Sequence, residues 1–136
     1  NYADLPLKET VKEMTGGKGV DVVYDPVGGD LAEQALRALG WHGRYLVIGF
    51  ASGDIPKFPA NLVLLKEASI VGIWWGPWAA RHTDEMLQNM RELDDMVAAG
   101  TLRPRYSESF AFEDYTSAFR VITERRVVGK IVLSIP

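Results

Sequence analysis

The chain has no cysteine, and only two histidines among its 136 residues. The first absence removes disulfides, thiol nucleophiles and thiolate zinc sites together, and it suits a reducing compartment, the cytoplasm by default. The second leaves little imidazole chemistry. His42 and His82 lack the close helical spacing and acidic sequence neighbours of a metal-binding pair, so the sequence predicts two surface residues and no metal site. Basic residues are short as well: 15 Lys and Arg stand against 18 Asp and Glu, for a formal net charge of -3. With no basic stripe, a nucleic-acid partner is excluded. The apolar stretches 62–65 and 70–75 fall far short of the roughly 18 residues of a membrane span, so no membrane partner is expected. The opening Asn1-Tyr2-Ala3-Asp4 has neither an initiator Met nor the layout of a signal peptide, and the chain reads as a fragment.

What remains is 47% hydrophobic and 24% charged, enough for a core burying about two-thirds of the unfolded surface. Asp4 as cap, Pro6, and Leu7, Val11 and Met14 at helical spacing predict a first helix that Gly16-Gly17 stops. Val20 to Tyr24 reads as a strand with both faces covered, ended by Asp25-Pro26. A second helix follows, with Asp30 as cap, Glu33 as its capping-box partner, Leu31, Ala35 and Leu39 on one face, and Gly40 after it. Strands are expected at 44–48 and 69–75, with a short helix at 61–66 between them. A longer helix, capped by Thr83, carries Met86, Met90, Leu93 and Val97. After Pro104 come an extended piece at 106–110, a helix at 113–123 with Tyr115, Phe119 and Ile122 inward, and a closing strand at 130–135. Alternating strands and helices imply an α/β fold, a parallel sheet with helices on both faces, whose ligands bind beyond the carboxyl ends of the strands. A domain boundary is expected near Arg103.

Most catalytic constellations are missing. Ser52 lacks the flanking glycines of a nucleophile elbow and reads as a loop hydroxyl. Gly16-Gly17-Lys18-Gly19 precedes a strand, whereas a phosphate loop follows one, so it reads as a turn. Asp94 and Asp95, adjacent on a helix, read as solvated. Three strand-end segments stand out instead: Asp25-Pro26-Val27-Gly28-Gly29, Gly49-Phe50-Ala51 and Ile73-Trp74-Trp75-Gly76. Any one of them reads as a turn with core aromatics. Side by side they suit a nucleotide-like ligand, because glycine lets a ligand near the backbone and apolar neighbours cover a flat ring.

At these residues the chain resembles the zinc-free quinone oxidoreductases of the medium-chain dehydrogenase/reductase superfamily, the group that includes zeta-crystallin. The likeness runs through Asn1-Tyr2, the segment 15–23, Asp25 to Gly29, Gly43-Arg44, Ile48 to Gly53, Leu64-Leu65-Lys66, Ser69 to Gly72 and Gly129 to Leu133. It implies that residues 1–103 are the second half of a doubly wound (Rossmann) dinucleotide-binding sheet, with 104–136 returning to close the substrate domain. The pyrophosphate-binding turn and most of the substrate domain would lie upstream. NADPH is the implied cofactor, without zinc, and a quinone or conjugated carbonyl compound the implied substrate. By position, Tyr2 would lie beside the adenosine end, and Val27, Gly28 and Gly29 near the nicotinamide ribose. Gly49, Phe50 and Ala51 would border the ring, and Ile73, Trp74 and Trp75 its carboxamide. Lys130 is a further candidate for phosphate. No catalytic residue is implied, since the hydride comes from the cofactor. The resemblance also implies a homodimer through the strand at 69–75, whose apolar edge needs covering. The alternatives are an enoyl or alkenal double-bond reductase on the same scaffold and a non-catalytic nucleotide-binding or structural module.

Overall fold

The computed structural model describes residues 4–135. Their contacts divide the chain into two compact units, one ending at Trp78 and the other beginning at Ala79. That division reflects contacts; the expected boundary near Arg103 concerns the domains of a whole enzyme.

The first unit begins with helix α1 (Leu7–Met14). Its N-cap is Pro6 in extended conformation, not Asp4. Pro6 already has the fixed φ a helix start requires, while its carbonyl accepts from Thr10 at 3.0 Å. Strand β1 (Val20–Asp25) follows, then α2 (Leu31–Ala38), β2 (Leu39–Val47), α3 (Ala60–Lys66) and β3 (Ser69–Gly72). The three strands lie in the order β1-β2-β3, all parallel. A parallel sheet built in sequence order by strand–helix–strand crossovers is half of a doubly wound α/β fold.

Register and pleat sort the side chains. Across the sheet the rows Val23–Tyr45–Ile70 and Asp25–Val47–Gly72 lie on one face, and Val22–Arg44 and Tyr24–Leu46–Val71 on the other, each β2 residue pairing with its neighbours on both sides. The first face carries the core. Ala32, Leu36, Leu39 and Tyr45 are fully buried there, with Val47, Phe58, Leu62 and Val63 packed around them. Leu36 and Leu39 have no exposed surface, which stabilises the unit by roughly 1.5–3 kcal/mol each. The second face leaves Val22, Tyr24 and Val71 exposed. The expected cover on both faces of β1 is therefore corrected: in this unit α2 and α3, which both pack on β2 and on each other, cover one face.

Three further expectations change in detail. Asp30 stands at the N-cap of α2 in a helical conformation and makes no side-chain cap bond. Glu33 instead pairs with Arg37 one turn on, at 2.6 Å. The buried stripe of α2 is Ala32 and Leu36, while Leu31 and Ala35 line an apolar groove of ≈ 230 Å³ along β1. Finally, Gly40 does not end the helix, because β2 begins at Leu39. Between the Val20–Leu39 and Val22–Arg44 pairs the ladder slips, and residues 40–43 bulge out with His42 at φ 56°.

The third strand ends at Gly72, and Trp75 opens a short helix α4 (Trp75–Arg81) where the sequence suggested continued strand. Pro77 sits in its first turn, where the missing N–H costs nothing. In the second unit, α5 (Thr83–Ala98) has His82, not Thr83, at its N-cap. Its expected inward face stays largely open, with Met90, Leu93 and Val97 exposed. Strands β4 (Tyr106–Ala111) and β5 (Lys130–Ser134) pair in parallel and are joined by a 3₁₀ turn and α6 (Tyr115–Thr123). The face of α6 differs from expectation: Ala118 and Val121 are buried, whereas Tyr115, Phe119 and Ile122 are exposed. A small residue lets the helix approach a sheet only two strands wide, and the large side chains fall outside that footprint.

Candidate functional site

The carboxyl ends of β1 and β2 carry two loops bonded to each other along the backbone. Ala51 N–H donates to the Pro26 carbonyl at 3.0 Å, Ser52 N–H to Val27 at 2.9 Å, and Gly29 N–H to Asp54 at 3.1 Å. Ile48 and Gly49 N–H both donate to the Asp25 carbonyl, at 2.9 and 3.3 Å. The two segments thus form one clasped structure. The Asp25 carboxylate sits beneath it: Oδ1 accepts from Val27 N–H at 2.8 Å and from Gly28 N–H at 2.9 Å, and Oδ2 accepts from the Tyr45 hydroxyl at 2.5 Å.

This arrangement explains two of the glycines. Gly28 and Gly29 have φ of 69° and 62°, in the left-handed region. A Cβ on Gly28 would come within 3.0 Å of the Asp54 carbonyl and of Phe50 Cδ1, and one on Gly29 within 2.9 Å of Ser52 Oγ. Their lack of a side chain is required by the clasp itself, before any ligand is considered.

Electrostatics follow the same contacts. Burial pushes the Asp25 carboxyl upward, but the hydrogen bonds from Tyr45, Gly28 and Val27 together outweigh it and hold the group below the usual carboxylate range. Burial first, then the Asp25 hydrogen bond and charge, raise the Tyr45 phenol well above its ordinary value. At neutral pH the pair is therefore a neutral phenol donating to an ionised carboxylate.

Of the sequence-predicted site residues, Val27, Gly28, Gly29, Gly49, Phe50 and Ala51 are brought together in this clasp. Ile73 joins them less closely, through its N–H to the Val47 carbonyl at 2.9 Å. Trp74 and Trp75 do not converge on the clasp as a strand end; they lead into α4, exposed by 78% and 60%. Lys130 begins β5, in the second unit. Tyr2 lies outside the described residues. Sequence reading missed the roles of the Asp25 carboxylate and Tyr45. An aspartate two residues before an amide it can accept from is a turn signal, and a tyrosine inside an apolar strand needs a partner for its hydroxyl.

The clasp uses up the amides of Val27, Gly28, Gly29, Gly49, Ala51 and Ser52. What it presents outward is mainly apolar: the half-buried Val27, Phe50 at 40% exposure, and the exposed Ala51. Such a surface suits the face of a planar ring better than a charged group. For a metal the donor set is poor. His42 is exposed, stacks on Trp41 at 5.3 Å and meets Glu67 at 2.9 Å. No group of three or more His, Cys, Asp or Glu able to hold a metal ion occurs among the described residues. No helix among them is long and apolar enough to cross a membrane.

Comparison with known proteins places these features in context. A family model described as zinc-binding dehydrogenase matches residues 2–133. Quinone oxidoreductase-like protein 2 of Bos taurus is 38% identical over 135 residues, covering 99% of this chain and 39% of its own length. The 2-haloacrylate reductase of a Burkholderia species is 31% identical, covering 98% and 40%. Escherichia coli quinone oxidoreductase, solved in complex with NADPH, superposes with a TM-score of 0.81 at 28% identity, covering all of this chain and 42% of that one. The chain thus spans about two-fifths of the length of these relatives.

Proposed function

Because the chain belongs to the zinc-binding dehydrogenase family, we propose that it is the carboxyl-terminal portion of an NADPH-dependent oxidoreductase that reduces quinones or other conjugated carbonyl compounds, and that this reductase works without zinc in a homodimer in the cytoplasm. The observation that carries the reading is the clasp of Pro26–Gly29 with Gly49–Asp54 at the carboxyl ends of two neighbouring parallel strands. That is where ligands of doubly wound sheets bind.

In this reading the bound cofactor supplies the hydride, and the chain's part is to bind and orient. Val27, Gly28 and Gly29 border the nicotinamide ribose, and Gly49, Phe50 and Ala51 the ring. Ile73, Trp74 and Trp75 face the carboxamide, the two exposed tryptophans also narrowing the substrate side. Tyr2 is assigned to the adenosine end and Lys130 to phosphate. Residues 1–103 belong to the dinucleotide-binding domain and 104–136 to the closing part of the substrate domain. Within this chain the lack of cysteine and the scarcity of histidine leave few residues that could ligate zinc. The dimer reading is supported by β3, whose outer edge has no neighbour in the sheet among the described residues and whose Ile70 and Val71 are exposed.

The test is to assay the full-length protein for NADPH oxidation with para-benzoquinone and menadione. Turnover with either supports the reading, and no turnover with any quinone or conjugated carbonyl overturns it. A reduction of electron-poor carbon–carbon double bonds is the second reading, favoured by the likeness to 2-haloacrylate reductase. A preference for 2-chloroacrylate or an alkenal over both quinones would select it.

A further inference from the structure

We propose that Tyr45 and Asp25 form a positioning pair that sets the Val27–Gly28 backbone against the nicotinamide end of the bound cofactor. The inference rests on the assignment of the strand-end clasp to the cofactor.

The argument begins with what the loop lacks. Val27-Gly28-Gly29 contains two residues with almost no conformational preference of their own, so the sequence of the loop does not by itself select φ of 69° and 62°. Something outside it must. The Asp25 carboxylate is the link: one oxygen accepts from both loop amides and the other from Tyr45. Because a carboxylate is rigid and planar, fixing Oδ2 also fixes the place and direction of Oδ1, and with it the two N–H groups.

Tyr45 is well suited to fix it. It is wholly buried, belongs to the central cluster with Ala32, Leu36 and Leu39, and packs edge-on against Phe58 with ring centres 4.9 Å apart. Its hydroxyl cannot shift without moving the core. In the sheet Asp25 pairs with Val47, two residues from Tyr45 on the same face, so the phenol reaches diagonally toward the carboxyl end of β1. The pair thereby carries the rigidity of the core into the first loop. The second loop takes its position from the first through the bonds at Ala51, Ser52 and Gly29. One hydroxyl thus sits at the root of the whole surface assigned to the nicotinamide.

The plain alternative is that Tyr45 merely satisfies its buried hydroxyl and Asp25 merely closes a turn. Both accounts allow some loss of stability when either residue is changed. They part over which end of the cofactor is affected. A positioning pair at the nicotinamide end alters recognition of that end alone, whereas general loosening weakens the grip on the whole molecule.

The experiment uses the full-length enzyme. NADPH is titrated by the enhancement of its nicotinamide fluorescence, and adenosine 2′,5′-bisphosphate, which has no nicotinamide, by calorimetry. For Tyr45→Phe, which keeps the ring and removes the hydroxyl, we expect NADPH affinity to fall about five- to tenfold, a weaker fluorescence enhancement, and unchanged bisphosphate affinity. Asp25→Ala should show the same pattern at least as strongly, and it serves alone if Tyr45→Phe does not fold. The double variant should be no worse than Asp25→Ala, because the two residues act as one unit. Unaltered NADPH binding in both single variants overturns the proposal, as does an equal loss for the bisphosphate. Failure of the unmodified enzyme to bind NADPH overturns the cofactor assignment itself, a result separate from either of these.

Discussion

The Lys66 ammonium at the end of α3 donates to the backbone carbonyl of Leu39, the residue where α2 gives way to β2, and also to the Arg37 carbonyl at 3.1 Å. A helix that turns directly into a strand leaves its last carbonyls without helical partners, and here a cation from a different helix meets them. Lys66→Met should therefore lower stability by about 1 kcal/mol, with α2 loosened at its carboxyl end. Thermal unfolding combined with amide exchange along residues 35–40 would check this. Unchanged protection there would contradict the capping role.

Gly29→Ala should be destabilising for two separable reasons, the positive φ and the approach to Ser52 Oγ and Cβ at 2.9 and 3.2 Å. Together they should cost about 1–3 kcal/mol. Adding Ser52→Gly to Gly29→Ala relieves the crowding but not the backbone strain, so denaturant titration should show partial recovery. Full recovery would mean that crowding alone makes glycine necessary.

Acid should act on Asp25 in a definite direction. Its folded-state pKa lies below the ordinary aspartate value, so the ionised form is favoured in the folded chain. The resulting stability is present above that value and is lost as pH falls through the lower, folded pKa. Asp25→Asn removes this contribution at all pH values. The variant should therefore be less stable than the parent at neutral pH, and the gap should narrow as the pH falls through and below the ordinary carboxylate range, measured by urea unfolding across the range. A gap that widens in acid would reverse the sign and refute the assignment.

If β3 is the edge through which two copies pair, Val71→Lys should give a monomer. The substitution places a charge on a strand that has no neighbour on its outer side among the described residues, a device that blocks edge-to-edge association. Light scattering on the full-length protein before and after the change is the measurement, and an unaltered mass would move the interface elsewhere.

Much of this was legible in the sequence where local rules and tertiary contacts agree. The strand–helix alternation, the helix after Asp30 and the glycine-rich strand ends all emerged from periodicity and turn residues. The misses come where a distant partner decides. Gly40 reads as a helix stop and the strand as beginning at residue 44, yet β2 already starts at Leu39 and runs through 40–43 as a bulge, with Gly19 leaving room. A Cβ on Gly19 would strike the Ala38 carbonyl and the Gly40 amide. The segment 69–75 reads as one strand, yet β3 ends at Gly72 and Trp75 opens a helix. Pattern on α6 favoured its large aromatics, whereas close packing selected Ala118 and Val121. At the site, the glycines of Asp25 to Gly29 were visible, but their meaning changed. Their first requirement is the contact with Phe50, Ser52 and Asp54, and the Asp25–Tyr45 bond spans 20 residues that no local rule connects.

The clasp also bears on the thermodynamics of any ligand it receives. Two glycine-rich loops would ordinarily be ordered at the moment of binding, at the expense of affinity. Here their N–H groups are already committed to Asp25, Asp54, Pro26 and Val27, so most of that entropy is surrendered during folding instead. Association with this surface should then draw chiefly on apolar contact with a preformed wall, and calorimetry should register it as a negative heat-capacity change with little ordering of the chain.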